Sequence, residues 1–494
     1  MRATTMKIES LLEESPSSLA KQTFTGITLD SRNVLPGDLF IALQGARINA
    51  VDYIDDAIEA GAVAVLADKR GFDDHFNARS VVWIDQLDKK LSHIAGIVFG
   101  DPSASMDVIG ITGTNGKTTT ALLIAQLMSL VGKNAASLGT LGYGKPQREI
   151  TATGLTTPDA ITVQRALQEL AADGVDALAM EVSSHALVQH RVKDIRITTA
   201  IFTNLSHDHL DYHGDFKQYG KAKAKLLKSR GLKHAILNLD DVWCAGLQKR
   251  AAKYAECFTY SIHNPKADLY CHSLQYSCSG VSGRIEFRGE SASFNSPLIG
   301  EFNASNLLAA ISAILIRGYD LKRVVQYVPL LKSAPGRMEQ VQLGPEQGVQ
   351  VVVDYAHTPD ALIKALRALR LHADGSVWCV FGCGGDRDVE KRSIMGRAAE
   401  KSSDYIIVTN DNPRSEDPAA IAAQIVEGMH NPERCLVIPD REKAIELAVQ
   451  QAAAGDAVLI AGKGHEQVQI FADKESRFND VECAISALQK RGGA

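Results

Sequence analysis

A glycine-rich loop between a predicted strand and a predicted helix limits the folds open to this chain. Residues 110–119 read GITGTNGKTT, directly after an apolar run, and helically spaced apolar residues follow as far as Val131. Backbone N–H groups of such a loop close around phosphate oxygens, and the helix N-terminus adds a positive dipole. Lys117 can reach the terminal phosphates and Thr118 can ligate Mg²⁺, although Ile111 stands where the strict motif has glycine. The pattern predicts an α/β domain that binds ATP or GTP.

Composition excludes several classes of protein. The chain has 494 residues, enough for two to four domains, with 45% apolar and 22% charged residues as in globular proteins. A net charge of −5 without a long basic run makes nucleic acid an unexpected partner. The first 18 residues lack the apolar stretch of a signal peptide or membrane span. The eight cysteines show no CxxC pair, so reduced thiols and a cytoplasmic location are expected.

Alternation of apolar strand-like runs with helical patterns predicts mostly parallel sheets covered by helices. Short strand-like pieces at 267–297 predict an antiparallel insertion, and residues 335–337 (Pro-Gly-Arg) predict a hinge. We expect three domains: a small N-terminal α/β domain (1–102), a central phosphate-loop domain with a mostly parallel sheet (103–335) and a C-terminal Rossmann-like domain (336–494).

Polar residues follow four of the predicted C-terminal strands. They form the runs 354–357 (DYAH), 382–387 (GCGGDR), 409–414 (TNDNPR) and 461–466 (AGKGHE). Ligands of open α/β sheets lie beyond the carboxyl ends of the strands. Each run alone is compatible with an ordinary connection, but together they favour a binding crevice.

Two further segments carry candidate site residues. Glu181 follows a predicted buried strand and could be a second Mg²⁺ ligand. Three histidines and two aspartates lie within 207–213, where metal or phosphate contact is favoured and zinc is a weaker possibility. In the lysine-rich helical run 219–225, Lys221 and Lys225 are expected to form a solvated face.

These motifs resemble, in order and over essentially the whole chain, the Mur ligases of peptidoglycan synthesis. The resemblance is carried by 113–119, 181–185, 204–211, 302–306, 336–339 and 354–359. It implies an ATP- and Mg²⁺-dependent amide ligase that acts on UDP-N-acetylmuramoyl-L-alanyl-D-glutamate. Residues 411–414 resemble the signature of forms that add meso-2,6-diaminopimelate instead of L-lysine. A monomer is expected.

The resemblance also implies roles for individual residues. The catalytic group comprises Lys117, Lys223, Glu181 and His209. The metal group comprises Thr118, Glu181, His209 and Lys223 as its carbamate. The ATP group comprises Gly113, Thr114, Asn115, Gly116, Lys117, Thr118, Thr119, Asn303, Arg337 and Asp354. The nucleotide-dipeptide group comprises Leu29, Ser31, Thr156, Thr157, Ser183, Gln189, Arg191 and the loop 46–48. The diaminopimelate group comprises Arg387, Asp411, Asn412, Pro413, Arg414, Gly462 and Glu466.

Charge explains two of these implied roles. An ammonium at Lys223 would repel Mg²⁺, whereas a carbamate there supplies the oxygen anion that a hard cation prefers. Diaminopimelate differs from lysine by a distal carboxylate, and the planar guanidinium of Arg414 suits bidentate carboxylate binding.

Other interpretations remain open from the sequence. Among ATP-dependent amide ligases, the alternatives are the L-lysine-adding ligase and a folylpolyglutamate synthetase. Two alternatives are not ligases. One is a phosphate-loop switch, although the sequence lacks the guanine-reading Asn-Lys-x-Asp motif, and the other is a nucleotide-binding regulatory module without catalytic activity.

Overall fold

The structure is a computed structural model. It describes residues 5–12, 19–45, 49–71, 80–146, 148–344, 347–472 and 474–492. The chain forms two compact units, one of residues 1–260 and 309–317, the other of residues 261–308 and 318–494. Among the described residues, no helix combines the length and apolar character needed to cross a membrane.

The strands of the first unit are numbered in chain order. They are β1 Met6–Lys7, β2 Thr23–Phe24, β3 Gly26–Thr28, β4 Asp38–Ala42, β5 Ala64–Asp68, β6 Val81–Ile84, β7 Asp107–Thr112, β8 Ala135–Gly139, β9 Gly142–Gly144, β10 Ala177–Glu181, β11 Ile197–Phe202, β12 His234–Asn238 and β13 Glu256–Ser261, whose last residue falls in the second unit. Its helices are α1 Ile54–Glu59, α2 Leu87–Val98, α3 Lys117–Leu130, α4 Ala160–Ala172, α5 Ser184–Val188, α6 Leu210–His213, α7 Phe216–Lys223, α8 Val242–Gly246 and α9 Gln248–Ala251. The helix α10, Glu301–Leu315, begins in the second unit and ends in the first.

Two parallel sheets organise the first unit. Strands β3 to β6 form a four-stranded parallel sheet in sequence order. The central sheet has the order β13-β12-β11-β7-β10-β8-β9, parallel except for the edge strand β9. Apolar side chains on both faces of β7, β10 and β11 are buried, as expected of parallel strands covered by helices. The phosphate loop therefore leaves the middle of this sheet.

The second unit contains its own parallel sheet and a group of three antiparallel strands. Its strands are β14 Leu269–Ser277, β15 Gly280–Phe287, β16 Glu290–Ser296, β17 Glu339–Val341, β18 Gln350–Asp354, β19 Val377–Phe381, β20 Tyr405–Val408, β21 Cys435–Val437, β22 Ala457–Ala461, β23 Val468–Phe471 and β24 Lys474–Arg477. Its helices are α11 Leu321–Gln326, α12 Pro359–Arg370, α13 Glu390–Ser402, α14 Pro418–Val426, α15 Arg441–Gln451 and α16 Asp480–Gly492.

The order of the six-stranded sheet in the second unit is β17-β18-β22-β19-β20-β21. All neighbours are parallel except β17 and β18. The carboxyl ends of β18, β19, β20 and β22 therefore meet at one edge, and the polar runs predicted from the sequence begin there. Strands β14, β15 and β16 are antiparallel, which confirms the predicted insertion.

The α/β fold class is confirmed, and each of the four predicted polar runs begins at or directly after the end of a strand, namely β18, β19, β20 or β22. The domain boundaries near residues 102 and 335 stay predictions, as does the hinge at Pro335. Lys221 and Lys225 are exposed, as expected for a solvated face.

Candidate functional site

The phosphate loop is held by the residues that follow the neighbouring strand β11. The backbone N–H of Asn115 donates to Asn204 Oδ1 at 2.9 Å, and Thr203 Oγ1 donates to the Asn115 carbonyl at 2.7 Å. A Cβ atom on Gly113 would lie 1.9 Å from Thr203 Oγ1, so only glycine fits there. Gly116 has φ of 84°, which also favours glycine. These contacts and backbone requirements fix the conformation of the loop.

Two lysines meet at this loop. Lys117 Nζ donates to the carbonyls of Gly113 and Thr114 at 3.1 and 2.9 Å. Lys223 Nζ donates to the same Gly113 carbonyl at 2.7 Å and lies 4.4 Å from the centre of the Tyr219 ring. Lys223 is 1% exposed, and burial together with the charge of Lys117 lowers its pKa well below the ordinary value. Lys223 therefore favours the neutral amine.

Thr140 connects the phosphate loop to the carboxylate of Glu181. Its backbone N–H and its hydroxyl both donate to Glu181, at 2.8 and 3.3 Å. The Thr118 hydroxyl donates to Thr140 Oγ1 at 3.5 Å, and the hydroxyls of Thr140 and Thr156 are 3.0 Å apart. Glu181 is 1% exposed. The hydrogen bonds thus fix the orientation of a buried carboxylate beside the loop.

A cavity of about 310 Å³ adjoins this network. Its lining includes both loop lysines and five other predicted site residues: Lys117, Lys223, Thr156, Thr157, Ser183, Arg191 and His209. Leu155, Ser184, His185 and Tyr219 complete it. The structure thus brings together residues predicted for phosphate, metal and nucleotide-dipeptide binding that are spread over more than 100 positions of the sequence, from Lys117 to Lys223.

Hydrogen bonds organise one wall of this cavity. The Thr157 hydroxyl donates to the Glu181 carbonyl at 2.8 Å and accepts from the Ser183 N–H at 3.0 Å. Arg191 donates to the Thr157 carbonyl at 2.6 Å and to Gln189 Oε1 at 2.6 and 3.0 Å. The guanidinium is therefore held at the wall, where it can meet an anionic ligand.

Two histidines of the predicted cluster, His209 and His213, pack against the ring of His185. The His185 and His209 ring centres are 4.9 Å apart, and Tyr212 lies 4.2 Å from His185. Burial is the main reason that the pKa of His185 falls to about 4, and the neighbouring His209 and His213 lower it further. His213 Nε2 lies 2.9 Å from Ser184 Oγ. Burial therefore favours the neutral imidazole of His185, which lines the cavity together with His209.

The donor chemistry near the phosphate loop suits a hard cation. Glu181, Thr118 and a carbamate on Lys223 would supply oxygen atoms, and Mg²⁺ typically combines one or two carboxylates with phosphate oxygens. In the described residues no group of three or more His, Cys, Asp and Glu side chains could hold a metal. A metal site made by the histidines and aspartates alone, including zinc, is therefore not supported.

A second cavity of about 570 Å³ lies at the N-terminal sheet. Leu29, predicted to contact the uridine nucleotide, lines it, together with its neighbours Asp30 and Asn33 and the more distant Arg165. Ser31 begins the 3₁₀ turn Ser31–Asn33 between these lining residues. The loop 46–48 lies outside the described residues.

Arg414 lies where two C-terminal loops approach each other in the second unit. Its Nη1 atom donates to the Gly385 carbonyl at 2.7 Å, and its backbone N–H donates to the Ile470 carbonyl at 3.0 Å. A Cβ atom on Gly385 would lie 1.8 Å from the Pro413 carbonyl oxygen. Arg387 is exposed on the same loop as Gly385. Part of the Arg414 guanidinium remains available for a carboxylate.

Asn412 and Asp411 are buried beside the loop after β22. Asn412 Nδ2 donates to Glu466 Oε2 at 2.8 Å, and its Oδ1 accepts from Lys463 Nζ at 2.9 Å. A Cβ atom on Gly462 would lie 2.5 Å from Asp411 Oδ2. Burial raises the pKa of Asp411. The predicted diaminopimelate residues of two loops are thus joined, with Lys463 between them.

The remaining predicted ATP residues also belong to the second unit. Arg337 lies 4.6 Å from the centre of the Tyr355 ring, and its buried Nε has no hydrogen-bond partner among the described residues. Asp354 accepts from the backbone N–H groups of Met338 and Ala356 at 2.7 and 2.9 Å. Asn303 donates to the Ile299 carbonyl at 2.9 Å and accepts from Asn306. Its side chain is thus engaged within helix α10.

Sequence reasoning missed Thr140, Tyr219 and Lys463. Thr140 follows β8, and no motif in the sequence surrounds it. Tyr219 belongs to the lysine-rich run that contains Lys223, and Lys463 lies between the predicted site residues Gly462 and Glu466. The shared position after parallel strands could have identified Thr140.

The fold and these cavities define a phosphate-loop nucleotide-binding protein of the α/β class. Three domain families match the sequence: the Mur ligase family catalytic domain at 23–84, the Mur ligase middle domain at 111–314 and the Mur ligase glutamate ligase domain at 336–464. The chain belongs to the Mur ligase family. A phosphate-loop switch and a regulatory module are thereby set aside.

Close relatives span nearly the whole chain. A UDP-N-acetylmuramoyl-L-alanyl-D-glutamate–2,6-diaminopimelate ligase of Haemophilus ducreyi is 43% identical, covering 94% of this chain and 95% of the relative. The enzyme of the same name from Pseudomonas aeruginosa is also 43% identical, with 94% of each covered. A solved structure of that name is 36% identical, with a TM-score of 0.75 and coverage of 99% of this chain and 100% of the other.

Proposed function

We propose that this protein is an ATP-dependent ligase that joins meso-2,6-diaminopimelate to UDP-N-acetylmuramoyl-L-alanyl-D-glutamate. The observation that carries the proposal is the cavity in which Lys117 and the buried Lys223 lie beside Thr156, Thr157 and Arg191. The names of the relatives support the choice of substrates.

The proposed ligation takes place in two steps. The peptide carboxylate attacks the γ-phosphorus of ATP, which releases ADP and forms an acyl phosphate. The amine of diaminopimelate then attacks the acyl carbon, releases phosphate and loses a proton, which leaves an amide. In the first step two anions must meet, so the cationic Lys117 and the loop N–H groups offset their repulsion.

Lys223 suits carbamylation for two reasons. Carbon dioxide adds to a neutral amine, which then releases a proton to the solvent to become the carbamate anion, and burial favours the neutral form of Lys223. The product keeps an N–H that can still donate to the Gly113 carbonyl. Bound Mg²⁺, held by Thr118, Glu181 and the carbamate, would neutralise charge on the transferring phosphoryl group.

The second unit would hold the incoming amino acid. Arg414 can pair with the distal carboxylate, while Glu466 can accept from the distal ammonium, and Arg387 can contribute charge at the rim. Lysine offers no carboxylate to Arg414, so the arginine would remain unpaired. We further propose a cytoplasmic location and a monomeric state.

Product analysis by mass spectrometry tests the proposal. The purified protein is incubated with ATP, Mg²⁺, the nucleotide dipeptide and either meso-2,6-diaminopimelate or L-lysine, and released phosphate is measured in parallel. We expect the diaminopimelate adduct and phosphate in equal amounts. An adduct formed with lysine alone would assign the other form, and the absence of both adducts would overturn the ligase proposal.

A further inference from the structure

A completely buried lysine lies between two loops of the second unit. Lys463 is 0% exposed, and its Nζ donates to Glu466 Oε2 and to Asn412 Oδ1, both at 2.9 Å. A buried ammonium is costly unless its protons find acceptors, so these two contacts are strong constraints on their partners.

Asn412 is oriented by this arrangement. Its Oδ1 accepts from both Lys463 and the Ile470 backbone N–H, the latter at 3.0 Å, and its Nδ2 donates to Glu466. The amide therefore has one orientation only, and its oxygen is used within the protein. Asn412 supports the neighbouring Glu466 instead of offering its carbonyl oxygen to a ligand.

Glu466 is held by one oxygen atom. Its Oε2 accepts from both Asn412 and Lys463, whereas its Oε1 receives no hydrogen bond from the residues that the structure describes. The side chain is 31% exposed, so the second oxygen can meet a ligand. Asp411 also lies close enough to Lys463 for their charges to interact, and Arg441 acts on the same Asp411 carboxyl.

We propose that Lys463 is a positioning residue for the amino-acid substrate: it fixes Glu466 so that the second carboxylate oxygen accepts from the substrate's distal ammonium. The inference rests on the proposed function, since it specifies how the same site binds diaminopimelate. Without Lys463, Glu466 and Asn412 lose their common donor and the carboxylate can rotate away from the substrate.

Steady-state kinetics with Lys463→Met tests this role. We expect the KM for diaminopimelate to rise about 10- to 100-fold, as for a lost charge-assisted hydrogen bond, with the KM for ATP within about threefold. Lys463→Arg should recover much of the loss because it retains the charge. Lys490→Met is the matched control, since Lys490 pairs with Glu446 at 3.0 Å on the surface of the same unit.

A double-substitution cycle separates positioning from a general structural role. If Lys463 acts through Glu466, then Lys463→Met/Glu466→Gln should have the same diaminopimelate KM as Glu466→Gln alone. This double variant removes both charges, so it also serves if Lys463→Met does not fold. A further tenfold rise in the double variant, or an equal rise in the ATP KM, would overturn the inference. If the wild type does not use diaminopimelate at all, the proposed function fails instead.

Discussion

Individual side chains carry most of the proposed chemistry, and Lys117 is the simplest to test. It is half-buried, and its Nζ donates to the carbonyls of Gly113 and Thr114. Lys117→Ala should lower kcat/KM by about 100-fold or more, because phosphate charge loses its cation, while the melting temperature changes little. Lys225→Ala, at an exposed position, should stay near wild type. A folded Lys117→Ala protein with normal product formation would contradict the phosphate-loop assignment.

We expect the buried Lys223 to lower the free energy of unfolding even though it is needed for activity. Its folded-state pKa lies below the unfolded value, so the unfolded chain binds the extra proton between those two values. The free energy of unfolding contributed by Lys223 therefore rises with pH in that window, and the cost disappears above about pH 10.5.

Lys223→Met should thus abolish ligation yet raise the free energy of unfolding at pH 7 in carbonate-free buffer. The stability advantage should shrink as the pH approaches 10. Denaturant unfolding at several pH values measures both effects. Lys223→Ala should regain part of its activity with added short carboxylates, and full activity without them would exclude the carbamate.

Arg414 should select diaminopimelate over lysine. Arg414→Ala removes a half-buried guanidinium, which is expected to cost about 2–5 kcal/mol with diaminopimelate and little with lysine. The measurement is kcat/KM for both amino acids, with Arg414→Lys as the charge-retaining comparison. An equal loss with both substrates would mean that Arg414 only supports the Gly385 loop.

At the scale of secondary elements, close contact between loops limits the residues that fit. A Cβ atom on Gly385 would overlap the Pro413 carbonyl, so Gly385→Ala must push the Arg414 loop aside. We expect diaminopimelate use to fall at least about tenfold, as for a displaced binding group. Gly344→Ala has nothing within 4 Å of its added Cβ atom and is the control. Equal activity of the two variants would show that the loops can separate freely.

Periodicity and strand ends predicted the elements well, because parallel strands are apolar throughout and stop where polar residues begin. This is why the polar runs 382–387 and 409–414 begin directly after the strands Val377–Phe381 and Tyr405–Val408. The partners of Lys223 and Lys463 could not be predicted in the same way. Lys223 donates to Gly113 and Lys463 donates to Asn412, and both partners are more than 50 positions away in the sequence. The site residues themselves stay predictions until they are substituted.

At the scale of the whole molecule, a buried ion pair should control the stability of the second unit. Arg441 binds Asp480 through two hydrogen bonds of 2.7 and 2.8 Å, and both side chains are 0% exposed. Arg441→Met would leave a buried, unpaired carboxylate and should lower the free energy of unfolding by about 3–5 kcal/mol.

Calorimetry of the full chain measures this effect. We expect a separate transition for each compact unit, with Arg441→Met lowering only one of them. Replacing both partners, as in Arg441→Met/Asp480→Leu, should recover much of the loss, because no uncompensated charge remains. A double variant less stable than the single one would contradict this account.

The path of the chain between its two units has a consequence for synthesis on the ribosome. The first unit lacks residues 309–317 when residue 260 has been made. Those residues include the buried Ile311 and Ile314, and Arg317, which binds Asp107 at 2.6 and 2.9 Å. A nascent chain must therefore wait for an intervening segment of 48 residues (261–308) before its first unit can close. Fragments that end at 260 should be captured by chaperones, and supplying 301–317 as a separate peptide should rescue their folding.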